Sequence, residues 1–255
     1  MTTAITPLQQ VGDFLLKRDD LFEVAGVRGG KARACWAIAQ GTPGLVTASQ
    51  KRNPQGNIVA HVARELGVPC RVHAPTGRLS PELVAAQNAG AEILQHPAGH
   101  STVLASRARA DAQTSGWRLI EFGMESDQAV QGMAAQARAT VAQMNDQGFS
   151  VRRVVVSVGS GISLAGILQG FAQASVTVPV VGVVVRKGRI KRLEKRIDKW
   201  APNWRKQCQL VQSELDFDEA ASVTRLRGVE LDPLFEAKCL PFLKPGDLFW
   251  LIAIR

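Results

Sequence analysis

Residues 154–170 read VVVSVGSGISLAGILQG, a β-branched run, a glycine–serine turn and an apolar stretch of helical length in direct succession. A strand made almost wholly of valine has no face for water. It is buried on both sides, as in a parallel sheet covered by helices. A second run of this kind, VPVVGVVV (178–185), follows after one helix length. Backbone N–H groups at a helix start, left bare by small residues, make a natural phosphate cradle. Gly159, Ser160, Gly161 and Ser163 are the residues that would line it.

Working outward from this unit, the alternation of strand and helix continues. GLVTAS (44–49) is strand-like, and GNIVAHVARELG (56–67) is an amphipathic helix with Ile58, Val59, Val62, Ala63 and Leu66 on one face. CRVHAP (70–75) is a strand, and SPELVAAQNAG (80–90) a helix with Ser80 as N-cap, Pro81 at its first position and Gly90 as its stop. AEILQH (91–96) and WRLIEF (117–122) read as strands, 101–114 and 126–145 as helices. Repeated βα units make the class α/β. The expected architecture is two interleaved domains with twisted, mostly parallel sheets flanked by helices. The smaller spans 43–124, and the larger combines 1–42 with 125–255.

At 255 residues the chain can bury a substantial core. No run approaches the ~20 apolar residues of a membrane span. The opening MTTAITPLQQVGD lacks the basic start and apolar stretch of a secretory signal. Cys35, Cys70, Cys208 and Cys239 are scattered without a CxxC pair, which points to reduced thiols in the cytoplasm and to no metal site. Lys and Arg total 31 against 22 Asp and Glu, a net charge of +9 that favours polyanionic partners such as nucleic acid. Eight basic residues crowd into RKGRIKRLEKRIDK (186–199). They form either a solvated helix face with Ile190, Leu193 and Ile197 turned inward, or a patch for a phosphate backbone.

Two phosphate cofactors suit the 159–163 turn. GSGISLAG weakly matches a dinucleotide fingerprint, but the next strand ends at Arg186 where that motif wants an acid for the ribose. Pyridoxal phosphate needs a glycine-rich cradle, a lysine amine for its aldehyde and a partner for its ring nitrogen. Lys31, directly after Gly29-Gly30, offers the amine, and Glu236, in the otherwise apolar LDPLFEAKC (231–239), offers the partner.

Taken in order, these motifs resemble the tryptophan-synthase-β type (fold type II) of pyridoxal-phosphate enzymes, in the branch of aminocyclopropane-carboxylate deaminase and D-cysteine desulfhydrase. KRDDLF (17–22) resembles that branch's KRED segment, and Gly29-Gly30-Lys31-Ala32-Arg33 its GGNKxR, with Gly30 standing in for the asparagine. TASQKRNPQGNIVAHVARELG resembles the loop that holds the cofactor's 3′-oxygen and the substrate carboxylate. SVGSGISLAG resembles the phosphate loop, and LDPLFEAKC resembles DPVYEGK, with Phe235 in the place of the tyrosine. The resemblance implies Lys31 as Schiff-base lysine and catalytic base, and Glu236 at the pyridine nitrogen. It implies Asn53, Gly159, Ser160, Gly161 and Ser163 as further cofactor contacts, and Ser49, Lys51, Arg52, Gln55, His73 and Phe235 around the substrate.

A closer resemblance is to the small pyridoxal-phosphate proteins of phages that hypermodify thymidine in their DNA. It rests on His73-Ala74-Pro75-Thr76-Gly77, Glu121-Phe122-Gly123-Met124-Glu125, the segment from Glu236 to Leu248, and Trp250 with Arg255. It implies a lyase or decarboxylase, working through a Cα carbanion on an amino acid attached to a thymine base, in a phage-encoded protein of the host cytoplasm. A homodimer is expected from the fold type. The alternatives are a deaminase or desulfhydrase of a free small amino acid, and a non-catalytic α/β protein that binds nucleic acid.

Overall fold

The computed structural model describes residues 4–97 and 99–254. Its elements run β1 (Leu8–Val11), β2 (Phe14–Arg18), β3 (Glu23–Val24), β4 (Val27–Arg28), α1 (Gly30–Ile38), β5 (Leu45–Ala48), α2 (Gln55–Glu65), β6 (Cys70–Pro75), α3 (Pro81–Asn88), β7 (Glu92–His96), α4 (Ser101–Ser115) and β8 (Arg118–Ile120). They continue with α5 (Asp127–Asp146), β9 (Arg153–Val158), α6 (Ile162–Gln173), β10 (Val180–Val184), α7 (Ile190–Trp200), β11 (Cys208–Gln212), β12 (Arg225–Leu226), β13 (Val229–Glu230) and β14 (Asp247–Leu251). The fold is α/β, with mostly parallel sheets and flanking helices. The chain divides into two compact units, Met1–Phe22 with Val130–Arg255, and Glu23–Ala129. The boundary therefore falls at 22/23 where the sequence pattern suggested 42/43. α1 contacts α2 and the β3–β4 ribbon, so residues 23–42 go with the smaller unit.

The larger unit is built on a six-stranded sheet in the order β1-β2-β14-β9-β10-β11. Only β1 is antiparallel, to β2; the other neighbours are parallel. Every residue of β10 and β14 is buried, and so is β9 from Val154 to Val158, as double-faced burial requires. α6 covers one face with Leu164, Ile167, Leu168 and Phe171. Its Gly166 and Gly170, one turn apart, let the backbone of α5 approach closely. A Cβ on Gly170 would lie 2.4 Å from the Ala134 carbonyl oxygen, and one on Gly166 2.5 Å from Met133 Cβ.

The KRDD motif is a buried structural network in this unit. Trp250 Nε1 donates to Asp19 Oδ2 at 2.8 Å, Thr6 Oγ1 donates to the other oxygen of that carboxylate, and Lys17 Nζ reaches Gln143 Oε1 at 2.9 Å. Trp250 from the late motif is thus a core residue that joins β14 to the turn after β2. Arg255 lies outside the described residues.

The smaller unit is a four-stranded, fully parallel sheet in the order β7-β6-β5-β8. α2 buries Ile58, Val59, Val62 and Ala63 as its period predicts. α3 starts on the Ser80 cap, which accepts from Leu83 N, with Pro81 in its first turn. WRLIEF forms strand only over Arg118–Ile120, because the chain turns into a 3-10 turn at Phe122–Met124. Among the described residues no helix is long and apolar enough to cross a membrane, and no cluster of three His, Cys, Asp or Glu could hold a metal. All four cysteines are free and buried.

Candidate active site

In the larger unit β9 ends at Val158 and α6 starts at Ile162, so Gly159, Ser160 and Gly161 make the whole connection. Gly161 has φ 88°, in the left-handed region, and a Cβ there would stand 3.3 Å from Leu193. A Cβ on Gly159 would meet the Phe235 ring at 2.9 Å. Both positions therefore keep a bare backbone at the start of a 12-residue helix. The first N–H groups of a helix have no intrahelical acceptor and carry its positive end. That of Ile162 donates to the Ser160 hydroxyl, at 3.4 Å, and Ser163 sits half-buried in the same turn.

Two residues before this cradle, Ser157 donates to Glu236 Oε1 at 3.1 Å, and the Ile252 N–H donates to the same oxygen at 3.2 Å. Glu236 Oε2 is buried with no hydrogen-bond partner among the described residues. Burial first, and then the Asp232 charge, push Glu236 up to about 8 against the pull of those hydrogen bonds. Asp232 shapes this segment, since its Oδ1 accepts from Leu234 N at 2.8 Å and Phe235 N at 3.1 Å, an Asx turn that launches the 3-10 turn Glu236–Phe242. A buried carboxyl with one unengaged oxygen is costly unless an N–H or a cation meets it. A phosphate cradle at Gly159–Gly161 and an orphaned acceptor on Glu236, whose other oxygen is held by Ser157 just before that cradle, fit the two polar ends of pyridoxal phosphate.

The smaller unit carries Lys31. β3 and β4 close on an Ala25-Gly26 turn with φ values of 55° and 74°, the tight hairpin form. Gly29 then takes φ 90°, ψ 179°, a region open essentially to glycine alone, and caps α1. Lys31 is the second residue of that helix and half-buried, and Arg33 is buried two residues beyond it.

The loop from Ser49 to Gln55 is braced from inside the unit. Ser49 Oγ accepts from Gly56 N at 3.2 Å and donates to Asn53 O at 3.1 Å, and Asn53 Oδ1 accepts from Gln55 N at 3.1 Å. Gln55 is completely buried. Its Nε2 donates to Thr47 Oγ1 and to the Glu121 carbonyl, each at 2.9 Å, and its Oε1 accepts from Gly123 N at 2.8 Å. Lys51 is half-buried, its Nζ placed 3.1 Å from where a Gly77 Cβ would be, and Arg52 is exposed.

His73 is buried within β6 with both ring nitrogens engaged, Nε2 by Asp111 at 3.0 Å and Nδ1 by His96 Nε2 at 2.9 Å. The ring planes differ by 3° and the centroids are 5.1 Å apart, so the rings lie edge to edge in one plane along an N–H···N bond rather than face to face. Burial alone would raise Asp111, but hydrogen bonds from His73 and Arg71 hold it below the usual carboxylate range. Burial, with His73 and Arg107, lowers His96. Sequence reading missed Ser157, Asp111 and the Ile252 N–H. The only signal for the first was one small polar residue inside a valine strand.

Comparison with known proteins gives the family and the fold. A family model described as "Pyridoxal-phosphate dependent enzyme" matches residues 3–232. The biosynthetic L-threonine dehydratase IlvA of Corynebacterium glutamicum is 28% identical over 193 residues, which is 71% of this chain and 44% of that protein; the chain thus spans less than half its relative's length. Among solved structures, an ACC deaminase homologue superposes with a TM-score of 0.79 at 19% identity, covering 97% of this chain and 89% of the other. A threonine deaminase from T.th. gives 0.74 at 20% identity, covering 98% and 92%.

Proposed function

This chain belongs to the pyridoxal-phosphate dependent enzyme family, and from that premise we propose that it is a lyase breaking a bond at Cα of an amino-acid substrate, with C–N cleavage as its reaction. Its cofactor is pyridoxal 5′-phosphate. The observation that carries the reading is Glu236, a buried carboxyl with Oε1 fixed by Ser157 and Ile252 and Oε2 left for a ring nitrogen. When bound, the cofactor supplies an aldehyde for the substrate amine and a ring that accepts the electron pair left at Cα. The Gly159–Ser163 turn holds the phosphate, and the glutamate keeps a proton at the ring nitrogen, since opposite charges stabilise one another. Lys31 anchors the cofactor and carries protons to and from Cα. The resemblance of Gly29–Arg33 to the family's lysine segment supports that role. Residues 49–53, braced by Gln55, take the substrate carboxylate. The names of the relatives, a threonine dehydratase and two deaminases, support C–N cleavage over decarboxylation.

The test is release of ammonia and a 2-oxo acid from a panel of free amino acids, with the visible band of lysine-bound cofactor followed in parallel. Turnover with the band present is expected. Pure protein that shows no band with added cofactor would overturn the reading.

A second reading concerns the substrate, an amino acid carried on a thymine base of phage DNA, from which ammonia or carbon dioxide leaves. The net charge of +9 favours it. Mass spectrometry of nucleosides from modified DNA, before and after incubation, checks it; an unchanged nucleoside profile beside turnover of free amino acids would contradict it.

A further inference from the structure

We infer that the outer face of α7, with the loop that leads into it, is a docking surface for the phosphate backbone of duplex DNA, in the same unit as the cofactor cradle. This deepens the second reading above and rests on it for the choice of DNA.

The helix sorts its side chains into three stripes. Leu193 and Ile197 are buried, and both reach Gly161 of the cradle, with 3.3 and 3.6 Å to the position of a Cβ there. Glu194 and Asp198, one turn apart, are both taken by Arg205, at 3.7 and 2.6 Å, and Asp198 also accepts from Trp204 Nε1. The acids of the helix are thereby neutralised on one side. The remaining stripe carries Lys191, Arg192 and Lys195, and none of them forms an ion pair among the described residues. Lys191, Arg192 and Lys195 lie on the solvent side of the helix, away from Leu193 and Ile197.

Arg186 and Arg189 extend the same cluster through the loop before α7. Burial, and then the charges of Arg186 and Arg192, hold Arg189 below the usual arginine range, so these guanidiniums repel one another. A helix whose acids are taken by Arg205, and whose exposed Lys191, Arg192 and Lys195 form no ion pair among the described residues, is poised to gain from a polyanion that releases counterions. Its register with the cradle is fixed as well, because Arg196 NH1 donates to the Ser160 carbonyl at 2.8 Å. The buried side of α7 rests on the turn that holds the cofactor phosphate, so the proposed surface belongs to the same unit as the cradle.

The experiment measures binding of a short labelled DNA duplex to holoenzyme by fluorescence anisotropy over a series of salt concentrations. Three proteins are compared: wild type, the triple variant Lys191→Ala, Arg192→Ala, Lys195→Ala, and a control triple, Arg78→Ala, Arg107→Ala, Arg118→Ala, which removes the same charge from the other unit. The α7 variant should lower the slope of log K against log salt by about 3, while the control keeps the wild-type slope. The visible cofactor band and turnover of free amino acids should be unchanged in both. Equal loss in the two triples would overturn the inference, because binding would then follow net charge alone. Undetectable DNA binding at low salt would overturn it too, as would tighter binding of RNA or of anionic lipid vesicles. Failed turnover with DNA binding intact would sink the lyase reading and leave the docking surface standing.

Discussion

Each unit buries a polar side chain at the first residue of a helical turn, and the two are treated in opposite ways. Gln55 in the smaller unit uses its nitrogen and its oxygen on Thr47, Glu121 and Gly123, so its amide braces the loop that carries Ser49 and Asn53. Glu236 in the larger unit has one oxygen held twice and the other not at all among the described residues. A fully satisfied buried group works as scaffold, whereas one left short at a folding cost has a partner still to come. By that criterion the His73–Asp111–His96 chain is also scaffold, and the 157–161 turn with Glu236 is the receptor.

The contrast can be broken by substitution. Lys31→Ala should have the largest effect, lowering turnover at least about 10³-fold and removing the visible band of lysine-bound cofactor. A variant that keeps the band would move the anchor elsewhere. Gln55→Ala should cost about 3 kcal/mol of stability, because it removes the buried amide's hydrogen bonds to Thr47, Glu121 and Gly123, and should leave cofactor affinity in the surviving folded protein unaltered. Thermal unfolding beside a cofactor titration reads both numbers; weaker cofactor binding at unchanged stability would reverse the assignment.

Glu236→Gln should do the opposite, with turnover falling roughly 10- to 100-fold as a charge-assisted bond becomes a neutral one. It should also change how the apo-protein responds to pH. Glu236 is raised from 4.5 to about 8 in the fold, so between those values the native state holds a proton that the unfolded chain has lost. Wild-type stability must therefore fall as pH climbs through that window and level off above it. The variant should lack that component, and melting temperatures of the two apo-proteins at the two ends of the window test it. Gly161→Ala should be mildest, about 1–2 kcal/mol from a strained φ of 88°, accompanied by weaker phosphate binding.

Much of this was legible from residues 44–185, where βα alternation is local and each strand announces itself by valines. The caps of α3 and the buried face of α2 were readable for the same reason. β1, β2 and β14 were not, because the sheet places β14 between β2 and β9, and the β2 pairing joins segments more than two hundred residues apart. Nor could the alternation show that residues 23–42 side with the smaller unit, since α1 contacts made in space decide it. The cradle and Glu236 stood out as glycine and acid in apolar surroundings. The roles of Gln55 and His73 depend on partners at 121, 123, 96 and 111, which no local pattern encodes.

The role proposed for Lys31 is to form the covalent bond to the cofactor aldehyde. Borohydride reduction of the holoenzyme followed by peptide mapping by mass spectrometry tests it most directly. The pyridoxyl group is expected on the peptide containing Lys31. Modification of Lys17 or Lys238, the buried lysines of the larger unit, would contradict it.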